Sequence, residues 1–254
     1  TAYEIRPRDW SSDVCSSDLG CSLMRQPEHA SSVIRAMTRA VKIPVTVKMR
    51  AGWNDQARNA PELARMVQDA GAAAVTIHGR TAAQSYTGLA DWDLVARVAD
   101  DLAIPVLGSG DCIEPEQIID RLQSGVSGVL VGRGVLRNPW ILAQAADIAA
   151  GRAPQEVTAS DRGRFLLEYI DMLLDEFANE AEGFRHVASC SPPPPARGRE
   201  RWVINKLRAL CSWYSKGLDG GSHLRVRVNA ASSITELRGI IHETFFSPAL
   251  SAIS

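Results

Sequence analysis

The sequence predicts an α/β protein, half of a parallel β/α barrel followed by a small all-α domain, on three observations. Helical apolar periodicity gives way to a short β-branched run four times between Cys21 and Gly151, at intervals of about 25 to 30 residues, the length of a β/α unit. The four runs are apolar nearly throughout, as strands of a sheet covered on both faces are. Beyond Trp140 helical patterns continue with no strand between them.

Pro27 to Val41 reads as a helix with Val33, Ile34, Met37 and Val41 on one apolar face, and Ile43 to Met49 as the strand after it. Pro61 to Ala70 is the next helix, stopped by Gly71, and Ala73 to His78 the next strand. Asp91 to Asp101 with Ile104 to Gly108, and Pro115 to Ser124 with Gly128 to Gly132, complete the set. Arg164 to Ala178 is an amphipathic helix with Glu168, Asp171, Asp175 and Glu176 outward. Two further helices, Glu200 to Tyr214 and Ile234 to Phe245, are joined by the turn at Gly217 and Gly220-Gly221. Ser189 to Gly198 contains Pro192-Pro193-Pro194-Pro195 and reads as an extended linker. Residues 1–19 have neither period, are rich in Ser and Asp, and resemble the conceptual translation of a sequencing adapter; they read as a non-native or disordered segment. The expected domains are thus 20–155 and 156–254, with a Pro-rich insertion at 189–198.

The 254 residues are 45% hydrophobic and 22% charged with a net charge of -1, which excludes wholesale polyanion binding and makes any nucleic-acid surface local. The five cysteines, at 15, 21, 112, 190 and 211, form no CxxC pair, so neither a metal centre nor a disulfide framework is expected, and a reducing cytoplasm is the simplest setting. No stretch approaches the roughly 18 apolar residues of a membrane span.

Chemistry in such folds collects where the strands end. Lys48 and Arg50 close the first strand, where a buried strand would ordinarily carry Val or Ile. An unpaired, desolvated lysine costs several kcal/mol, so Lys48 asks for a ligand or a barrel carboxylate. The second strand ends in His78-Gly79-Arg80-Thr81, with hydrogen-bond donors for an electron-rich ring and a charge for an anion. The third and fourth end in Gly108-Ser109-Gly110-Asp111 and Gly132-Arg133-Gly134, small-residue turns whose backbone N–H groups an anion can approach. Together they ask for a phosphorylated cofactor with its ring near Lys48 and His78, a description that FMN fits.

Pro44-Val45-Thr46-Val47-Lys48-Met49-Arg50-Ala51-Gly52-Trp53, Thr76 to Thr81, Pro105 to Asp111, Val131 to Gly134 and Asn138-Pro139-Trp140 together resemble the last four strand ends of the bacterial tRNA-dihydrouridine synthases. The resemblance runs from about Gly20 to about Phe245. It implies a (β/α)8 TIM barrel with only the last four β/α units present, then a helical tRNA-binding domain. It implies that Lys48 and His78 contact the isoalloxazine ring and that Ser109, Gly110, Asp111, Gly132 and Arg133 cradle the FMN phosphate; Ser109 stands where many relatives have Asn. The reaction implied is reduction of the C5–C6 bond of uridine in tRNA with NADPH as reductant, a cysteine protonating C5. That cysteine sits in a Gly-Cys-Pro context which this sequence lacks, so no catalytic residue is assigned, and Cys21 reads as a small buried helix residue.

From Arg197 to Arg227 eight basic residues face only Glu200 and Asp219, interleaved with Trp202, Trp213 and Tyr214. That mixture suits phosphate contact with ring stacking, although Trp213 and Tyr214 taken singly read as core. Arg80, Arg201, Lys206, Arg208, Lys216 and Arg225 are the expected RNA contacts, with tRNA the partner and the full-length form a monomer. Half a barrel leaves two sheet edges open, so the polypeptide made alone is expected to aggregate or fail to bind FMN. Two other readings stay open: an FMN barrel reducing a small pyrimidine, and a catalytically dead RNA-binding fragment.

Overall fold

The computed structural model describes residues 20–179 and 196–246. The segment read as foreign, 1–19, and Pro192 to Pro195 lie outside them. A 3-10 turn, Gly20–Arg25, leads into α1 (Pro27–Ala40), β1 (Thr46–Arg50), α2 (Ala60–Asp69), β2 (Ala74–His78), α3 (Trp92–Asp101), β3 (Val106–Ser109), α4 (Pro115–Leu122) and β4 (Gly128–Leu130). α5 (Arg133–Arg137) and α6 (Ile141–Ala149) follow, then α7 (Ala159–Asn179), α8 (Ala196–Tyr214), α9 (Gly221–Ala230) and α10 (Ile234–Phe245). The chain divides into two compact units: one holds the sheet, up to Val135, with Ile141–Pro154, and the other holds Leu136–Trp140 and the residues from Gln155 onward.

In the first unit the strands pair in parallel in the order β1-β2-β3-β4. The register makes two rows across one face: Lys48, Thr76, Leu107 and Gly128, then Arg50, His78, Ser109 and Leu130 at the C-terminal ends. The opposite face carries Met49, Val75, Ile77 and Val106, all buried in a core with Leu63, Val67, Val95, Val98 and Ile118 of the covering helices. The first face is different. Lys48 is exposed and Thr76, Leu107 and Gly128 are half-buried, although a parallel sheet is normally covered on both sides. Among the described residues the four strands form an open sheet.

The strand limits depart from the sequence expectation at β1 and β4. Ile43 is 73% exposed and Pro44 has no N–H to give a ladder, so β1 starts at Thr46. β4 stops at Leu130 because its pairing with β3 ends at Ser109. The apolar face expected on α1 is largely uncovered: Ala30 and Ser31 are buried, Val33 and Ile34 half-buried, and Met37 and Val41 exposed.

The helical unit buries Leu166 and Ile170 of α7, Val203, Leu207, Cys211 and Tyr214 of α8, Leu224 and Val228 of α9, and Leu237, Ile241 and Phe245 of α10 in a second core. α9 replaces part of the expected loop between two helices. Only Leu224 and Val228 repeat at helical spacing there, and alternating Arg225, Val226, Arg227 and Val228 mask them. α8 begins at Ala196, directly after the proline run, so residues 196–198 are helical where a linker was expected. Proline tolerates a helix that starts just after it.

Candidate functional site

Three successive loops at the C-terminal strand ends build the site. β2 leads into residues 79–91, closed by Asp91, whose side chain caps α3 by accepting from the Leu94 N–H at 2.9 Å and pairs with Arg58 at 2.8 Å. β3 leads into Gly110, with φ +132°, and Asp111, with φ +53°. The first is glycine territory; Asp is among the few other residues that enter the second. A Cβ on Gly110 would stand 2.6 Å from Ala90 Cβ and 3.4 Å from the His78 ring. Trp92 anchors the turn from below, its indole N–H donating to the Gly110 carbonyl at 3.0 Å. Gln117 holds the chain beyond it, accepting from the Ile113 and Glu114 N–H groups at 2.8 and 3.1 Å.

The loops enclose a hollow of about 230 Å³. Its walls include Lys48, His78, Ser109, Gly110, Asp111, Gly132 and Arg133, every residue that the sequence reading placed on the cofactor. Arg50, Tyr86, Cys112, Ile113 and Leu130 also line it. Arg50 and Leu130 are legible once the register is known, since both lie in the His78 row; Tyr86 comes from a loop with no period, and nothing in the sequence pointed to it.

One end of the hollow gathers unpaired backbone N–H groups. Among the described residues no hydrogen bond is made by the backbone N–H of Gly110, Asp111, Cys112 or Gly132, and unpaired N–H groups gathered at a concave turn attract negative charge. The Arg133 guanidinium stands over the Tyr86 ring at 4.9 Å and 3.5 Å from Asp111. The other end is cationic and polar: Lys48, with no carboxylate partner among the described residues, and Arg50, which donates to the Thr81 and Ser85 carbonyls at 3.2 and 3.3 Å. The lysine's alternative reading as a salt-bridged residue is therefore not what the sheet unit shows.

His78 lies between these cations, its Nδ1 3.1 Å from the Ser109 carbonyl. Burial, then Arg50 and Lys48, push its pKa below the ordinary histidine value, against the contact with Ser109. The neutral ring fits the geometry: Nδ1–H donates to Ser109 and Nε2 is left as an acceptor. Because the unfolded chain binds the proton more tightly, stability contributed by neutral His78 is complete above about pH 6.5 and declines as pH falls below it. His78→Gln should flatten that part of the stability profile, measured by urea unfolding at pH 5 to 8; an unchanged slope would show that His78 is not the group.

Three of the expected RNA contacts need correction. Arg80 does not face RNA. Its guanidinium is 2% exposed, donates to the Thr87 and Gly88 carbonyls and grips both oxygens of Asp111 at 2.6 and 2.8 Å, whereas a phosphate contact needs an exposed cation. Arg208 is also committed within the protein, donating to the Val228 and Ala231 carbonyls at the end of α9 and to Asn205. Arg225 is half-buried and donates to Ser215 Oγ at 2.9 Å. Arg201, Lys206 and Lys216 remain exposed; Lys206 lies 5.2 Å from the Trp202 ring and Lys216 4.1 Å from the Trp213 ring. Tyr214 is core, as read, and Trp213 is half-buried.

The described cysteines 21, 112 and 211 are free thiols. Cys21 lies in the 3-10 turn and is not part of the hollow's wall. Cys112 does line it, but burial pushes its thiol up to about 11 and its Sγ is turned to the Gly110 carbonyl at 3.5 Å. Among the described residues no cluster of His, Cys, Asp or Glu could hold a metal, and no helix is long and apolar enough to cross a membrane.

A parallel β/α sheet with two small-residue turns and a cationic row at its C-terminal edge defines a class: β/α proteins whose functional groups gather at the strand ends. Within that class the chain belongs to the dihydrouridine synthase (Dus) family, whose model matches residues 11–191. The match begins inside the segment read as foreign. The chain is 34% identical to a probable tRNA-dihydrouridine synthase of Rickettsia prowazekii over 90% of its own length and 64% of the relative's. It is 40% identical to tRNA-dihydrouridine synthase B of Xanthomonas campestris over 76% of its own length and 60% of that protein's. It thus spans a little under two thirds of these relatives.

Proposed function

We propose that this chain carries the second half of a (β/α)8 TIM barrel, residues 20–155, and the helical tRNA-binding domain, 156–254, of an FMN-dependent tRNA-dihydrouridine synthase that uses NADPH. The observation that carries the reading is the convergence of Lys48, His78 and both glycine turns on one hollow. The uncovered sheet face, with Lys48 exposed, would face the remaining strands across the barrel interior, and α1, with Met37 exposed, would meet a neighbouring helix of the outer ring.

The residues fit the cofactor. Free N–H groups at Gly110, Asp111, Cys112 and Gly132, with Arg133 beside them, suit its phosphate. Lys48 and His78 line the other end, where they would hold the ring, Lys48 as a donor and neutral His78 with Nε2 as an acceptor. When bound, FMN supplies the hydride for uridine C6 after reduction by NADPH. Lys48 and Arg50 would hold positive charge at that end of the hollow, where it would stabilise negative charge developing during hydride transfer. No acid for C5 is assigned to this chain, because Cys21 is outside the hollow and the buried Cys112 thiol is turned to a carbonyl; turnover by this chain alone is not expected.

A hollow of about 230 Å³ falls below the ~300 to 1,000 Å³ that usually enclose such ligands, so the ring end lacks part of its wall. The chain by itself should therefore leave gel filtration without bound flavin, while fluorescence titration detects weak binding with FMN preferred over riboflavin. Joined to the N-terminal region of a relative, it should elute yellow and convert uridine in tRNA but not free uracil. Turnover of free uracil instead would favour the small-pyrimidine reading, and no flavin uptake by the joined protein would end the assignment.

Exposed Arg201, Lys206 and Lys216 are the proposed tRNA contacts. Replacing all three by Gln should weaken tRNA binding about tenfold or more at low salt and reduce the slope of affinity against salt. Arg208→Gln should lower stability instead, by removing the carbonyl cap on α9.

A further inference from the structure

Asp111 is an odd residue for a phosphate site, because a carboxylate repels the ligand. Burial opposes its ionisation, but the Ala90 N–H, Arg80 and Arg133 outweigh that and hold its carboxyl below the usual carboxylate range. It is therefore charged, and both of its oxygens are engaged by protein donors. Arg80, at the end of β2, grips both of its oxygens while also binding the Thr87 and Gly88 carbonyls. The Ala90 N–H donates to Oδ2 at 2.7 Å, and Arg133, just beyond β4, approaches to 3.5 Å. One carboxylate thus ties together the loops after β2, β3 and β4, in the left-handed conformation that gathers the free N–H groups of Gly110 and Cys112. Arg80 itself is absent from the wall of the hollow.

We propose that Asp111 and Arg80 are positioning residues for the anion end of the flavin site: the Asp111 side chain touches no phosphate but fixes the 110–112 backbone and the Arg133 guanidinium, and Arg80 fixes Asp111. The inference rests on the flavin reading for the identity of the ligand, but not for the anion site itself. Arg80 acts entirely from behind the pocket. Its Nη1 has no hydrogen-bond partner among the described residues, a cost accepted to bury a cation there.

The test uses the full chain with FMN, riboflavin and inorganic phosphate as probes, the last read as a rise in melting temperature over chloride at equal ionic strength. Asp111→Asn and Arg80→Gln should each weaken FMN binding about tenfold and abolish the phosphate response, while riboflavin affinity stays within about twofold; Arg80→Lys should recover part of the loss. Equal losses for FMN and riboflavin, or no loss for either, would overturn the inference, as would a wild-type chain with no phosphate response. If the wild type responds to phosphate and the variants abolish that response, but the protein joined to the N-terminal region of a relative takes up no flavin, the flavin reading fails while the positioning roles stand on the phosphate data. Should Arg80→Gln prove insoluble, Asp111→Asn, which keeps the side-chain shape, decides the matter.

Discussion

Trp92→Ala is expected to lower stability by about 3 to 5 kcal/mol and to abolish the phosphate response together with FMN binding. Trp92 is 4% exposed and fills the space that Gly108 leaves open in β3: a Cβ on that glycine would fall 2.2 Å from the indole ring. Arg121 covers the ring from the other side at 5.1 Å. Removing the indole therefore opens a cavity under β3 and frees the Gly110 carbonyl from its hydrogen bond, so the turn loses both its floor and its anchor. Trp92→Phe keeps most of the packing and loses only the hydrogen bond, whose net worth is about 0.5 to 1.5 kcal/mol. Chemical unfolding of the two variants beside the wild type separates these contributions; a Trp92→Ala loss below about 1 kcal/mol would mean that the core collapses to fill the gap.

Gly110→Ala is expected to damage both the fold and the site. It meets two separate obstacles. The new Cβ would press against Ala90 Cβ at 2.6 Å, and the backbone φ of +132° is one that only glycine adopts without strain. The combined cost should be about 2 to 4 kcal/mol, with loss of phosphate and FMN binding because the strained turn carries the free N–H groups. Adding Ala90→Gly removes the clash and leaves the backbone cost. The double variant should therefore regain part of the stability and little of the ligand binding. Full recovery of both would show that sterics alone matter at this turn and that its left-handed geometry is not what binds the anion.

Much of the sheet unit could be read from residue order. The helix starts at Pro27 and Pro115 and the stop at Gly71 are local signals, and they placed the elements to within a few residues. The site residues at strand ends were legible for the same reason: a charged or small residue closing an apolar run has few places to go in a parallel sheet. Tyr86 and the buried state of Arg80 were not. Both belong to a loop whose path is set by side-chain bonds to Asp111, far along the chain, and an arginine beside a histidine looks the same whether it faces solvent or a carboxylate.

The helical unit divides along the same line. Eight cations between Arg197 and Arg227 marked the region, but charge content does not say which cations are spent inside. α9 decides it, since the carbonyls at its end take Arg208 and the neighbouring Ser215 takes Arg225, while Arg201, Lys206 and Lys216 stay exposed, the two lysines over the Trp202 and Trp213 rings.

Sequence by itself determined the alternation of helices and strands, the parallel sheet and the family, because these rest on periodicity and on motifs contiguous along the chain. Only the tertiary structure decided which strand-end groups share one hollow, and which arginines are structural. Those depend on the strand register and on ion pairs between residues some 20 to 30 positions apart, and pairing at that distance leaves no periodic trace in the chain.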